Sequence, residues 1–150
     1  MKHSDFAVSP VLGSDIASIA ALDSRTLFSG HWSEDGYRSL LNNQLGILLK
    51  AEKDGVLAGF VAGRVIPPEA ELDNIAVDET FRRLGVGGLL MGEFLSRAKA
   101  AGCKSVFLEV HEHNRTAADF YSRAGFKTTG FRPRFYEGRD AAVLMRLDYE

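Results

Sequence analysis

The sequence predicts one α/β domain, a mixed sheet with helices packed against it. Three observations carry that reading. Seven segments either alternate apolar with polar residues or run apolar for a few positions, the patterns of half-buried and fully buried strands. Four others place apolar residues three and four apart, the period of an amphipathic helix. The two kinds interleave in the order β-α-α-β-β-β-α-β-α-β-β, which calls for helices on the faces of a sheet rather than a separate helical layer.

Phe6 to Val11 reads as the first strand. Ser14 or Asp15 would cap a helix whose apolar face is Ile16, Ile19, Ala20 and Leu27. A second, short helix starts after Ser33 and carries Tyr37, Leu40 and Leu41. Leu45 to Lys53 and Val56 to Ile66 are strands joined by Asp54-Gly55, two residues that tolerate the positive φ of a tight hairpin. Pro67-Pro68 ends the second strand, and Glu71 to Val77 begins another. From Val86 the period becomes helical through Leu89, Leu90, Phe94 and Ala98, and Gly102 marks the stop. Ser105 to Val110 is a strand. Asn114 caps a helix presenting Ala117, Phe120, Tyr121 and Ala124, with Gly125 as its end. Phe126 to Phe131 and Ala142 to Leu147 complete the sheet.

With 150 residues, no repeat and no linker-like tract, one domain is the economical reading. A formal net charge of -2 excludes a strongly basic nucleic-acid footprint, leaving only a local basic stretch near the C-terminus. The single cysteine, Cys103, permits no internal disulfide. Met1-Lys2-His3-Ser4-Asp5 has no apolar run behind it, and no stretch is long enough to span a bilayer. A cytoplasmic protein, with no membrane or direct nucleic-acid partner, is expected.

The chemistry gathers around Arg82-Arg83-Leu84-Gly85-Val86-Gly87-Gly88, between a strand and a helix. Amides at a helix start lack partners and carry the positive end of the helix dipole, and glycine lets a phosphate approach them. A dinucleotide fingerprint would need glycine at position 90, which is Leu90; a P-loop would need lysine after Gly88, where Leu89 stands. A plain tight turn remains the bland alternative for glycines alone.

Asp73-Asn74-Ile75-Ala76-Val77-Asp78, followed by Arg82-x-x-Gly85-x-Gly87, resembles the acetyl-CoA motif of the GNAT acetyltransferase superfamily. Leu108-Glu109-Val110, Asn114 and Phe120-Tyr121-x-x-x-Gly125-Phe126 follow in the matching order. The tail from Arg132 to Leu147, Trp32-Ser33-Glu34 and Tyr136 are similar to the RimI group, which acetylates the N-terminal alanine of a small-subunit ribosomal protein. His31 stands where that group would have proline.

The resemblance implies the GNAT fold, acetyl-CoA as donor substrate and a protein N-terminus as acceptor. It implies that Arg82, Arg83, Leu84, Gly85, Val86, Gly87 and Gly88 hold the CoA diphosphate. Ile75, Ala76 and Val77 would offer backbone groups to the pantetheine arm and the acetyl carbonyl. Asn114 and Tyr121 would also touch the coenzyme, with Tyr121 as general acid.

Glu109 is the candidate base, since an apolar strand would desolvate it and raise its pKa; the alternative is that alternation points it to solvent. Phe120 and Tyr121 point about 100° apart on their helix, so one enters the core and the other faces the cleft, unless both are core residues. Trp32, Glu34, Glu109 and Tyr136 would border the acceptor, with a buried Trp and a solvated loop over Phe131 to Asp140 as the plainer readings. Glu109, His111 and His113 alternate on one strand face and would suit Zn²⁺, but no further ligand completes the set, and no metal is expected. A GNAT enzyme acting on a small-molecule amine or a lysine is the alternative activity, and a non-catalytic CoA-binding module the alternative class.

Overall fold

The computed structural model describes residues 5–28 and 31–150. Residues 1–4, part of the N-terminal reading above, lie outside the described residues. The elements are β1 (Ala7–Pro10), α1 (Ile16–Ser24), α2 (Glu34–Leu41), β2 (Gly46–Lys53), β3 (Val56–Ile66), β4 (Glu69–Val77), α3 (Val86–Ala100), β5 (Ser105–His111), α4 (Arg115–Ala124), β6 (Lys127–Tyr136) and β7 (Asp140–Asp148), the order expected. All strands join one seven-stranded sheet, β1-β2-β3-β4-β5-β7-β6. Every neighbouring pair is antiparallel except β4 and β5.

Each face of the sheet buries its own core. On one, Leu90, Met91, Phe94 and Ala98 of α3 and Tyr121 of α4 pack against Leu49, Val61, Leu72, Val106, Leu108 and Met145. On the other, Ile16, Ile19 and Leu22 of α1 and Tyr37 and Leu40 of α2 cover Leu48, Phe60, Ala62 and Ala76. Alternation along β3 therefore feeds both cores. Gly63 is required there: a Cβ would run into Phe94 and the Glu71 carbonyl. Beside it, Ala62 pairs with Asn74 and Gly63 with Leu72, so Asp73 is the extra residue of a bulge in β4.

Four expectations at element ends need correction. Leu27 is not on α1, which stops at Ser24; Leu22 fills the buried position, and Leu27 is 76 % exposed. Asp15 does not cap α1 through its side chain. Its carboxylate instead accepts from the Leu12 N–H and pairs with Lys50 Nζ at 2.9 Å. The last two strands are longer than Phe126–Phe131 and Ala142–Leu147, because β6 runs on to Tyr136 and β7 starts at Asp140, which leaves only a short turn of the hairpin. Likewise β4 begins at Glu69, directly after Pro67-Pro68. Asp54 and Gly55 have φ of 51° and 79°, as a tight two-residue hairpin requires.

Candidate active site

The two parallel strands part company. β4 and β5 pair only at Glu69 with Ser105, Ala70 with Val106 and Glu71 with Phe107. Beyond Glu71 and Phe107 no pairing joins them, so the C-terminal half of β4, with Ile75, Ala76 and Val77, borders a gap in the sheet. Backbone groups along such an edge are free to bond an extended ligand.

α3 starts at the mouth of that gap. Gly85 caps it in the left-handed region, φ 83°, which only glycine adopts freely. The first main-chain bond of the helix runs from the Leu89 N–H to the Gly85 carbonyl at 3.0 Å. The amides of Val86, Gly87 and Gly88 thus precede the ladder and point out of the helix end. Leu84 packs against the core and Val86 is buried in it, so these two can offer only their backbones to a ligand. Nothing lies within 4 Å of the place a Cβ on Gly88 would occupy, whereas Gly87 is flanked by Phe120 and Val77. Arg82 folds back to donate from Nε to the Val77 carbonyl at 3.3 Å, and Arg83 takes φ 64° in the same turn. An open row of amides, a helix dipole and two arginines form a fitting receptor for a diphosphate.

On the far side of the gap Asn114 caps α4 by accepting from the Ala117 N–H at 3.3 Å. The two aromatics of α4 sit at different depths. Tyr121 is the deep one, only 7 % exposed and edge-on to Phe126, while Phe120 is the half-buried one that covers Gly87. Burial, with the neighbouring Tyr136 phenol, pushes the Tyr121 phenol well above its ordinary range, so it keeps its proton at neutral pH.

Glu109 lies on the opposite face of β5 from the buried Leu108 and Val110. The desolvation expected for it is absent: its side chain is 32 % exposed and accepts from Arg132 Nη1 at 2.7 Å. Alternation puts it toward solvent, and a guanidinium from β6 meets it there. Beside it opens a cleft of about 430 Å³, lined by Arg64, Glu71, Phe107, Glu109, Thr129 and Leu144 among others. Tyr136 stacks on His111 with centroids 4.8 Å apart, and burial, then the Glu109 carboxylate, raises its pKa. The charge of Glu109 acts on Tyr136, and Tyr136 in turn acts on Tyr121.

A family model described as the acetyltransferase (GNAT) family matches residues 16–126, from α1 through α4. The chain belongs to the GNAT acetyltransferase family. It is 32 % identical over 124 residues to the [ribosomal protein bS18]-alanine N-acetyltransferase of Escherichia coli K12, covering 77 % of this chain and 80 % of that one. An uncharacterised Mycobacterium leprae protein is 34 % identical over 140 residues, but this chain spans only 38 % of its length. The crystal structure of the E. coli ribosomal-protein-S18-alanine N-acetyltransferase superposes with a TM-score of 0.86 at 27 % identity, over 95 % of this chain and 93 % of that one. This GNAT protein is accordingly an acetyl-CoA-dependent N-acetyltransferase with the GNAT fold.

The remaining GNAT-motif residues divide. Trp32 packs tilted against Tyr37 with centroids 5.3 Å apart, and its main-chain N–H donates to Asp23 Oδ2 at 2.8 Å. Glu34 is the exposed first residue of α2, where its charge favours the helix start; its ion pair is with Arg38, at 4.0 Å. No contact among the described residues joins Glu34 to Glu109 or Tyr136. His113 falls beyond the end of β5, so the Glu109-His111-His113 face does not form. Glu112, His113 and Asp140 instead bring ligand atoms within 4.8 Å of one another at the surface.

Sequence reasoning missed Arg132 as the partner of Glu109 and Asp23 as a buried acceptor. Arg132 reaches Glu109 only because β7 intervenes in register, with Ala142 between Arg132 and His111. No spacing in the chain encodes that. Asp23 did leave a signal, a carboxylate one place after Leu22 in an apolar helix.

Among the described residues no helix is long and apolar enough to cross a membrane.

Proposed function

We propose that this enzyme transfers the acetyl group of acetyl-CoA to the α-amine of a protein N-terminus, the N-terminal alanine of a small-subunit ribosomal protein, by direct attack. The observation that carries the reading is the gap between β4 and β5, with the α3 amides at its mouth, Tyr121 on one side and Glu109 on the other. The similarity to alanine N-acetyltransferases supports the choice of acceptor. In this reading Arg82, Arg83 and the amides from Leu84 to Gly88 hold the diphosphate. Asn114 lies along the coenzyme. The edge of β4 at Ile75 to Val77 aligns the pantetheine and polarises the acetyl carbonyl.

Only a neutral amine attacks a thioester. An α-amine with pKa near 7.8 is neutralised at pH 7 for about 1 kcal/mol, whereas a lysine amine costs about 4–5 kcal/mol. A modest base therefore suffices for an N-terminus. The ammonium arriving at Glu109 loses one proton to solvent before attack, and Glu109 takes the second as the neutral nitrogen bonds to the acetyl carbon. Tyr121, neutral at pH 7 as any phenol is and more firmly so for its burial, donates a hydrogen bond and then its proton to the sulfur as the carbon–sulfur bond breaks, and regains a proton from solvent before the next turnover. No cysteine takes part: Cys103 is buried and bonds the Glu69 carbonyl. Trp32, Glu34 and Tyr136 are the acceptor-side residues of this account.

Steady-state kinetics with an alanine-started peptide test it. Glu109→Gln should lower kcat/KM by about 10²–10⁴-fold, the usual share of general-base catalysis. Tyr121→Phe should lower kcat with the KM for acetyl-CoA nearly unchanged. Undiminished turnover in both variants would remove these roles and leave a coenzyme-binding site whose chemistry lies elsewhere.

A further inference from the structure

The guanidinium of Arg132 sits 2.7 Å from Glu109 Oε1, and both side chains are partly exposed. That is where the positive nitrogen of an acceptor has to arrive if Glu109 receives it. Two cations held on the two oxygens of one carboxylate still repel each other. Arg132 is held by a second contact that does not depend on Glu109. Its side chain is 52 % exposed, and its guanidinium carbon lies 4.2 Å above the Phe135 ring, a face that can hold the charge beside water. Nearby Glu71 adds to the negative field, since Glu109 is among the charges that disfavour its ionisation.

We propose that Arg132 is the residue by which the site distinguishes substrate from product: the acceptor ammonium displaces its guanidinium from Glu109, and the guanidinium returns once acetylation has removed the charge. The inference rests on the reading of Glu109 as the acceptor-side carboxylate. No covalent step is involved. One cation replaces another on the carboxylate, and the amide product, having no charge, cannot compete with the arginine. Free-amine peptide is thereby admitted by ion exchange, while acetylated peptide meets a closed pair. Because the pair is exposed, breaking it is worth at most about a few-fold in binding.

Calorimetry in the presence of CoA, which cannot acetylate, reads the exchange directly. The probes are a short alanine-started peptide and its N-acetylated form. Arg132→Gln should bind the free-amine peptide about two- to fivefold more tightly than the parent. The acetylated peptide should gain nothing, and Arg132→Lys should behave like the parent. In the Glu109→Gln background the gain from Arg132→Gln should vanish. An unchanged or weakened affinity for the free amine in Arg132→Gln, or an equal gain for both peptides, overturns the proposal. These outcomes are separable from failure of the catalytic reading, which shows as full turnover in Glu109→Gln whatever Arg132 does. Arg132 lies on an exposed edge strand, so the folded state tolerates both changes; a melting curve matching the parent's confirms it.

Discussion

Asp23 shows what one buried carboxylate can organise. It is fully buried in α1, yet it accepts from the Tyr37 hydroxyl and from the main-chain N–H groups of His31 and Trp32, and Asn74 of β4 donates to the same hydroxyl. The loop carrying Trp32 is thus tied through Tyr37 to the strand that borders the gap. Asp23→Ala would strip these donors of that acceptor inside a packed core. A loss of about 2–4 kcal/mol in urea unfolding is expected, with a higher KM for the acceptor peptide. Stability within about 0.5 kcal/mol of the parent would show that the network matters little. Residue identity was only partly legible in the chain. The places of Gly85 and Asn114 at helix starts follow from their own backbone chemistry, and both stand there. The surroundings of Glu109 depend on which strand lies two places away, so the apolar neighbours in sequence pointed to a desolvated carboxylate that the fold does not make.

Elements were more legible than their ends, because hydrophobic period is a property of many residues and a terminus of one or two. The order of all the strands and α-helices follows from alternation and helical spacing. Leu27 and the 131–140 stretch went astray because a boundary is set by local contacts: the end of α1 yields to the Asp23 network, and β6 is prolonged by pairing with β7. The start of α3 is the element on which coenzyme affinity turns. Gly88 offers a clean probe, since a side chain there meets no atom within 4 Å. Gly88→Asp places a carboxylate at a helix N-terminus, which favours the fold by about 0.3–1 kcal/mol. The same charge repels a diphosphate. The expected result is an unchanged or slightly raised Tm with CoA affinity at least about tenfold weaker. Equal affinity for CoA would place the diphosphate somewhere other than the α3 amides.

For the molecule as a whole, charge couples folding to pH with opposite signs at the two ends of the scale. The Arg25 guanidinium, at 2.7 Å, and the Thr80 N–H hold the Asp78 carboxyl below its usual range; Lys50 and the Leu12 N–H do the same for Asp15 against its burial. Their stabilisation is present above the ordinary carboxylate range and is lost as pH falls through the lowered values. Glu71 and Asp73, raised by burial, act in the opposite sense and offset part of that loss. Lys50, raised chiefly by its bond to Asp15, and Tyr37, raised by burial and Asp23, contribute stability that is lost as pH rises beyond about 10. Thermal melts should therefore show a plateau across neutral pH that falls in acid below about 4 and in alkali above about 10. Asp78→Asn should lower the plateau, with the difference from the parent shrinking in acid. A constant difference down to pH 2 would contradict the assignment of the acid limb to Asp78.

Unlike the element order, the parting of β4 from β5 after three residue pairs was not written in either strand; it emerges when the bulge at Asp73 bends one of them away. Whether that gap presents a thioester to an N-terminus is answered by incubating the enzyme with acetyl-CoA and an alanine-started peptide that also contains lysine, then locating the label by fragment mass spectrometry. The account predicts one acetyl group, on the α-amine, and none on the lysine. Acetyl found on the lysine alone would contradict it.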